Sequence, residues 1–469
     1  MEDKLYHKLS LYKSLPQPLR NILGYAYRNV PLSVRYGKVY TYYKNLLKQS
    51  PYWDDEKKAD FIFKRLKETL INAYENTKFY KKQFDAVGFN PHTFENLEQF
   101  HNIPLIDKTD LRKHKQEIKN NTLPENNFLY ATTGGTTGIP VELYYLKGRE
   151  RSREFVFMTE QWKRAGYKIG DKVAVLRGSV VDEKGKNILS KYEPIKNRML
   201  LSTYDLYGDN IKQYVEKLKK FKPEFIHTYP SAITVFAKYV KQNNIDFPSL
   251  KGVFCSSEQF FKGQREFLKS AFNAKIYSWY GHSEYTTLAG ECEMNTDYHV
   301  FFEYGYTELI DEQGHVITEP GVRGEIVGTS FEMKGYPIIR YRTGDFAEWV
   351  DEKCTCGRNY QLMRNVQGRW HQEMILTKQN STISITALNM HTDLFDHVIQ
   401  YQFHQKEKGK VELKIIKSDQ FTSADEEKIL KSFKMKFKDL VDFSVRYVTE
   451  IPRTQRGKHR FLIQELELN

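Results

Sequence analysis

The stretch Tyr130-Ala131-Thr132-Thr133-Gly134-Gly135-Thr136-Thr137-Gly138-Ile139-Pro140 sets three glycines and four threonines between two apolar segments. Glycines let a backbone turn with φ > 0 and approach a ligand closely. Successive N–H groups in such a turn make an anion nest, and the hydroxyls of Thr132, Thr133, Thr136 and Thr137 are uncharged donors for phosphate oxygens. The chemistry these residue types serve together is the holding of a phosphate chain; the plain alternative is a polar hairpin turn. The pattern G-x-x-x-x-G-K-[ST] is absent, because Ile139 and Pro140 follow Gly138. A phosphate loop here therefore needs a lysine from elsewhere in the chain.

Further groupings follow in order: Tyr280-Gly281-His282-Ser283-Glu284, Tyr341-Arg342-Thr343-Gly344-Asp345, Gly368-Arg369, and Pro452-Arg453-Thr454-Gln455-Arg456-Gly457-Lys458-His459-Arg460. Alone, Glu284 reads as a surface carboxylate, Thr343-Gly344-Asp345 as a tight turn and Arg456-Gly457-Lys458 as a basic hairpin tip. Cys354-Thr355-Cys356 with Cys292 and His299 gives a Cys₃His set suited to four-coordinate structural zinc. His315 is an alternative fourth ligand, and free thiols that merely sit near one another are the alternative to a site.

These groups need elements to hold them. Residues 1–125 read as a helical lead-in, with an amphipathic stretch at 52–84 and a helix start at Asp107-Lys108-Thr109-Asp110. After the Gly/Thr loop come a strand at 141–146 and a helix at 149–165. Short apolar runs at 172–176, 225–229, 252–255 and 275–280 then alternate with helical segments at 211–221, 232–242 and 263–272. That alternation predicts an α/β domain with largely parallel strands, whose ligands sit at the carboxyl ends of the strands. From residue 298 strands and turns dominate, at 304–310, 324–328, 338–341 and 346–350. The tail beyond 368 predicts a small α+β domain with strands at 411–416 and 443–448 around a helix at 424–440.

At 469 residues the chain is too long for one core. Its longest apolar runs fall well short of the ~20 residues that span a bilayer, and Met1-Glu2-Asp3-Lys4 lacks the start of a secretion signal, so a cytoplasmic location is expected. Four cysteines do not make a disulfide framework at this size. A net charge of +13 invites a nucleic-acid reading, but the lysines alternate with Glu and Asp as on solvated helix faces, and no nucleic-acid module is present. Residues 15–47, with Arg20, Arg28, Arg35, Lys38 and Lys44 among Tyr and Leu, are either a packed helix pair or a peripheral membrane contact.

As an ordered set, the loop at 130–140, Tyr280–Glu284, Tyr341–Asp345, Gly368-Arg369 and 452–460 resembles the adenylate-forming superfamily of acyl-CoA synthetases and ligases. Tyr-Arg-Thr-Gly-Asp and Cys-x-Cys-Gly-Arg look most like its phenylacetate-CoA ligase branch, which includes CapK-like capsule proteins. The resemblance implies a large domain, 1–369, of α/β layers plus a β subdomain, and a small mobile α+β domain, 370–469. It implies a reaction in two halves: a carboxylate attacks the α-phosphorus of ATP to give an acyl-adenylate and pyrophosphate, and an acceptor then displaces AMP. In that scheme Thr132, Thr133, Gly134, Gly135, Thr136, Thr137 and Gly138 hold the β and γ phosphates, and Glu284 takes Mg²⁺. Tyr280 and Gly281 lie by the adenine, Ser283 reaches the α-phosphate, and Asp345 accepts from the ribose hydroxyls. Ser256-Ser257-Glu258 match an adenine-side loop, and residues 227–231 lie near the acyl pocket. Arg369 is among the cofactor-binding residues just before the hinge, and Lys458, turned inward at Gly457, supplies the missing cation when the small domain closes.

Two departures bear on the acceptor and the motion. Trp370, His371 and Gln372 follow Arg369 where the family carries Asp or Lys, a change that a hinge tolerates because it only absorbs a φ/ψ change. CoA-using relatives carry a glycine-containing loop along the pantetheine tunnel, whereas Leu376-Thr377-Lys378-Gln379-Asn380-Ser381-Thr382 has none. The acceptor is thus open between the CoA thiol and an amine or hydroxyl, such as a sugar of a surface polysaccharide. A nucleotide-binding scaffold without turnover and a nucleotidyl transferase are the rival functions. Aromatic residues are spread throughout, so they do not name the acid.

Overall fold

The computed structural model describes residues 12, 14–132, 141–177, 188–203, 206, 208–260, 263–368, 374–378, 382–384, 392–395, 397–437, 439–453 and 460–466. These form two compact units, one of Met1–Gly170, Pro194–Lys196 and Tyr277–Gln367, the other of Asp171–Glu193, Asn197–Ile276 and Gly368–Asn469.

The first unit opens helically, as the sequence predicts. Helix Leu32–Leu46 buries Tyr36, Tyr40 and Tyr43, and Tyr36 stacks at 4.1 Å on Phe155 of helix Glu150–Lys163. This part of the 15–47 segment is therefore packed, while Leu19, Ile22 and Leu23 of helix Gln17–Arg28 are exposed. Gly24 lies against Pro194, where a Cβ would come within 2.4 Å of the ring, so this helical position has to be glycine. The stretch 52–84 is two helices rather than one. Asp54 caps Asp55–Asn76 by accepting from Lys57 N at 2.8 Å, and Thr77 ends that helix and caps Lys78–Ala86. Asp107 and Asp110 form a capping box at the expected start.

Strands Phe128–Thr132 and Glu142–Leu146 pair antiparallel, with Thr132 opposite Glu142, so the Gly/Thr loop joins a hairpin. The main sheet of this unit is antiparallel in the order Gly305–Ile310, Arg323–Ser330, Tyr341–Val350, Leu362–Gln367, Tyr298–Val300, Leu288–Gly290, Ile276–Gly281. Here the sequence reading needs correcting. The expected strands 338–341 and 346–350, separated by a turn, are one strand, Tyr341–Val350, with a bulge where Val327 pairs Arg342 and Glu325 pairs Phe346. Gly344 sits in that bulge at φ 72°, the left-handed conformation that glycine adopts without strain.

In the second unit Val173–Arg177 lies between Arg198–Ser202 and Phe225–Thr228, parallel to both, and Gly252–Ser256 extends the parallel set. Its core takes Tyr214 and Leu218, Ile233 and Phe236, and Leu268 and Phe272 from helices Gly208–Phe221, Pro230–Gln242 and Gln264–Phe272. The C-terminal part has its own core. Its strands run in the order Asp442–Tyr447, Lys410–Lys417, Val398–Glu407, Leu462–Gln464, covered by Ile429, Phe433 and Phe437 of helix Ser423–Phe437. No helix among the described residues is long and apolar enough to cross a membrane.

Two buried charges in the first unit give measurable consequences. Arg340, at φ 48° just before the bulged strand, pairs with Glu308 at 3.0 Å and donates to Ile103 O at 2.7 Å and to His101 O. Both side chains are buried, so Arg340→Met should cost about 3–5 kcal/mol in urea unfolding, and adding Glu308→Leu should recover most of it. Burial pushes the Glu303 carboxyl up to about 7 from 4.5. The native state then holds a proton that the unfolded chain releases, so this contribution is complete below pH 4.5 and lost as pH rises through 7. Glu303→Gln, which can still accept from Tyr360, should flatten that decline of about 3 kcal/mol in unfolding measured from pH 4.5 to 8.

Candidate active site and metal centre

Strand Ile276–Gly281 delivers the chain into the turn that carries Glu284. The Ser283 carbonyl is fixed there by the Tyr145 hydroxyl at 2.6 Å. Glu284 is buried rather than a surface carboxylate. Its Oε1 accepts from the Tyr341 hydroxyl at 2.9 Å, and its Oε2 lies 3.2 Å from His282 Nδ1, whose Nε2 is 3.1 Å from the Thr286 hydroxyl. Burial pushes this carboxyl up, but the hydrogen bonds from His282 and Tyr341 outweigh it and hold it down to about 2. A fixed, ionised carboxylate is the oxygen ligand that a hard divalent cation takes.

The bulge beside it positions Asp345. Gly344 N donates to Glu325 Oε1 at 3.0 Å, Thr343 Oγ1 donates to Ile326 O at 2.7 Å and accepts from Asp345 N at 3.1 Å, and Arg342 pairs with Glu325 at 2.6 Å. The Tyr280 hydroxyl donates to Asp345 Oδ2 at 2.9 Å. The structure thus brings Glu284, Ser283, Gly281, Tyr280 and Asp345 together through Tyr341 and its bulge. Sequence reasoning quoted Tyr341 and His282 without giving either a role; their partnership with one carboxylate is what orients it.

Ser257 and Glu258 lie in the second unit, at the end of strand Gly252–Ser256. Ser257 has φ 68°, an uncommon conformation for a residue with a side chain, and its hydroxyl accepts from Arg177 at 3.2 Å. Arg177 went unremarked in the sequence, where its one signal is a charge closing the apolar run Val173-Ala174-Val175-Leu176. Thr133, Gly134, Gly135, Thr136, Thr137, Gly138, Arg369 and Lys458 lie outside the described residues, as does the side chain of Thr132.

The Cys₃His set does assemble. Ligand atoms of Cys292, His299, Cys354 and Cys356 lie within 4.8 Å of one another, with Cys292 Sγ 3.6 Å from Cys354 Sγ and His299 Nε2 3.3 Å from Cys356 Sγ. A zinc tetrahedron with Zn–S about 2.3 Å and Zn–N about 2.0 Å has edges of about 3.5–3.8 Å, so the residues fit. Burial, with Arg164, holds His299 down to about 3, keeping the neutral imidazole that ligates. Burial raises the Cys356 thiol, and Arg358 beside it outweighs that and holds it below its ordinary value. His315 is not the fourth ligand: it is exposed and lies 3.2 Å from Asp311.

Comparison with known proteins agrees with this picture. A family model described as the CapK C-terminal domain matches residues 375–465. The chain is 26% identical to Protein CapK of Staphylococcus aureus over 424 residues, 86% of this chain and 88% of the relative. It is 26% identical to a phenylacetate-coenzyme A ligase of Thermus thermophilus over 322 residues, 67% and 71% of the two chains. Among solved structures, 2-hydroxyisobutyryl-CoA ligase in its postadenylation state, in complex with R3-HIB-AMP, shares the fold at a TM-score of 0.68 and 19% identity, covering 89% of this chain and 93% of that one.

Proposed function

We propose that this chain, a relative of CapK and the phenylacetate-CoA ligases with the fold of the adenylate-forming ligases, is an enzyme that adenylates a carboxylic acid. The acid's carboxylate oxygen attacks the α-phosphorus of ATP, pyrophosphate leaves, and the acyl group of the adenylate passes to an acceptor as AMP departs. The observation that carries the reading is Glu284, buried, ionised and oriented by Tyr341 and His282 within the ordered motif set. Glu284 would hold Mg²⁺, which would offset the charge of the phosphate chain. Asp345 would take the ribose, the loop at 132–138 the β and γ phosphates, and Ser257 and Glu258 would lie on the adenine side. Lys458, on a small domain 370–469 that turns about the hinge just after Arg369, would stabilise the charge growing on the α-phosphate.

For the acceptor, a second reading has its own support. CapK is the relative matched over the larger share of both chains, and the family-model match falls on the C-terminal domain. In the glycine-free stretch after Leu376, Lys378 N is tied to Leu440 O at 2.9 Å and its side chain packs against Gly409. A stretch 376–382 without glycine favours an amine or a sugar hydroxyl over the pantetheine thiol, in line with a role in surface-polysaccharide synthesis.

Isotope exchange between pyrophosphate and ATP should require a cognate acid, and should fall about 10²–10³-fold in Lys458→Ala and in Glu284→Gln while ATP still binds. Purified protein that binds ATP but exchanges with no aromatic, fatty or amino acid would instead be the scaffold. For whichever acid responds, product masses with CoA, amines and sugars identify the acceptor, and an adenylyl group retained on the product would mark a nucleotidyl transferase.

Cys292, His299, Cys354 and Cys356 would hold a structural zinc, whose net charge with three thiolates is offset by Arg164 and Arg358. Elemental analysis should find about one zinc per chain. Cys354→Ser should lower both the zinc content and the thermal midpoint, and a chelator should reproduce the second effect.

A further inference from the structure

Helix Gln17–Arg28 carries its apolar face outward. At about 100° per residue, Leu19, Ile22, Leu23 and Ala26 share one arc about 100° wide, the stripe that a surface helix ordinarily turns to the core. All four are exposed, Ile22 at 66% and Leu23 at 50%. The side that meets the protein is Gly24, about 150° round from the middle of that arc. Gly24 lies against Pro194, and the Tyr12 hydroxyl beside it donates to Arg20 O at 3.1 Å. Tyr27, one turn on, lies under the Arg35 guanidinium at 4.6 Å. The helix is therefore anchored by the side opposite its leucines.

Among the described residues sixteen large apolar side chains are exposed, and six of them, Leu19, Ile22, Leu23, Tyr25, Val34 and Tyr42, fall between residues 19 and 42. Scattered singly such side chains need no explanation, whereas a group on one anchored helix marks a surface that something covers. The charge around them is of one sign. From Lys4 to Trp53 there are nine lysines and arginines and no Asp or Glu, so this stretch alone carries most of the chain's net charge of +13. Arg35 is buried against Tyr27 and Tyr36, while Lys38, Lys44 and Lys48 are exposed and Arg20 and Arg28 half-exposed. A second copy of the chain docked face to face here would set cations against cations. An anionic bilayer meets both features, because the apolar face sinks among the lipids while lysine and arginine stems reach back to the headgroup phosphates.

We propose that helix Gln17–Arg28 lies in the surface of an anionic lipid bilayer, with Leu19, Ile22 and Leu23 inserted below the headgroups and the basic residues of this stretch resting on them. This attaches the chain to a membrane without a spanning helix, and it does not depend on the adenylation reading.

The test sediments the full chain with vesicles of phosphatidylcholine alone and with vesicles containing about one third phosphatidylglycerol. Partition onto the anionic vesicles should be about 10-fold or more the greater, and should fall as salt is added. Leu19→Ser, Ile22→Ser and Leu23→Ser together should lower it about 10-fold or more with the thermal midpoint unchanged, because these side chains face solvent. Should that variant unfold early, the single Ile22→Glu, at the most exposed of the three positions, is read in its place. Arg28→Gln, Lys38→Gln and Lys44→Gln together should lower partition onto the anionic vesicles alone. Failure to bind anionic vesicles overturns the proposal and leaves the face to a protein. Binding that the serine variant keeps in full also overturns it, since the attraction then comes from charge elsewhere, and so does a glutamine variant that binds as the wild type does. A lipid-free dimer that the serine variant abolishes would give the face to a second copy instead.

Discussion

A carboxylate that is buried and still ionised has to be held by donors, and the first unit is arranged around meeting that requirement at Glu284. The Tyr341 hydroxyl and His282 Nδ1 meet it. Tyr341 in turn begins the strand whose next residues all have fixed partners: Arg342 on Glu325, Thr343 on the Ile326 carbonyl, Gly344 on Glu325 and Asp345 on Tyr280. Arg340 immediately before it is locked to Glu308 and to the chain at Ile103. Six consecutive residues thus convert one strand into a rigid holder for two acidic side chains. Tyr341 and Asp345, four residues apart, reach Glu284 and Tyr280, and the bulge at Gly344 between them gives this strand two residues more than its neighbour over the same span.

The Cys₃His centre depends on the same sheet through a different device. His299 sits on strand Tyr298–Val300 and Cys292 just past Leu288–Gly290, two strands that pair with each other, while Cys354 and Cys356 come from the turn after Tyr341–Val350. A metal there would tie that turn to two other strands. The strand ending at this turn begins at Tyr341, so fixing it steadies the carboxylate holder from its far end. That would be a reason for a structural metal at these four residues.

The sequence revealed the elements and motifs better than the pairings. Alternation of apolar runs with helical periods located Val173–Arg177, Phe225–Thr228, Gly252–Ser256 and the helices between them to within a few residues, because a doubly covered parallel strand is an apolar run. Val398–Glu407 was missed for the opposite reason: Gln402 and Gln405 are buried in it, hydrogen bonded to Arg460 O and Leu376 O, which hides its alternation. The bulged strand was split because Thr343-Gly344-Asp345 has turn composition wherever it occurs. Motif order located Glu284 and Asp345, yet neither holder was legible. Tyr341 lies 57 residues from Glu284 and Tyr280 lies 65 from Asp345, and only register places them.

The arginines show the two ways in which this fold holds a charge away from water. Arg340 ends on Glu308, and Arg65 and Arg149 end on Glu332. Arg153 and Arg164, also buried, end on main-chain carbonyls of Tyr304, Tyr285, Gly290 and Glu291. Each of those acceptors carries full or partial negative charge, which is what a buried guanidinium needs. Arg177 ends on two serine hydroxyls and a neutral imidazole, which hold it as dipoles in the way the carbonyls hold Arg153 and Arg164. The buried guanidinium groups of this fold are thus held either by a carboxylate or by main-chain oxygens aimed at them, whereas half-buried Arg177, at the end of its parallel strand, rests on side-chain hydroxyls, an imidazole and the Tyr229 ring.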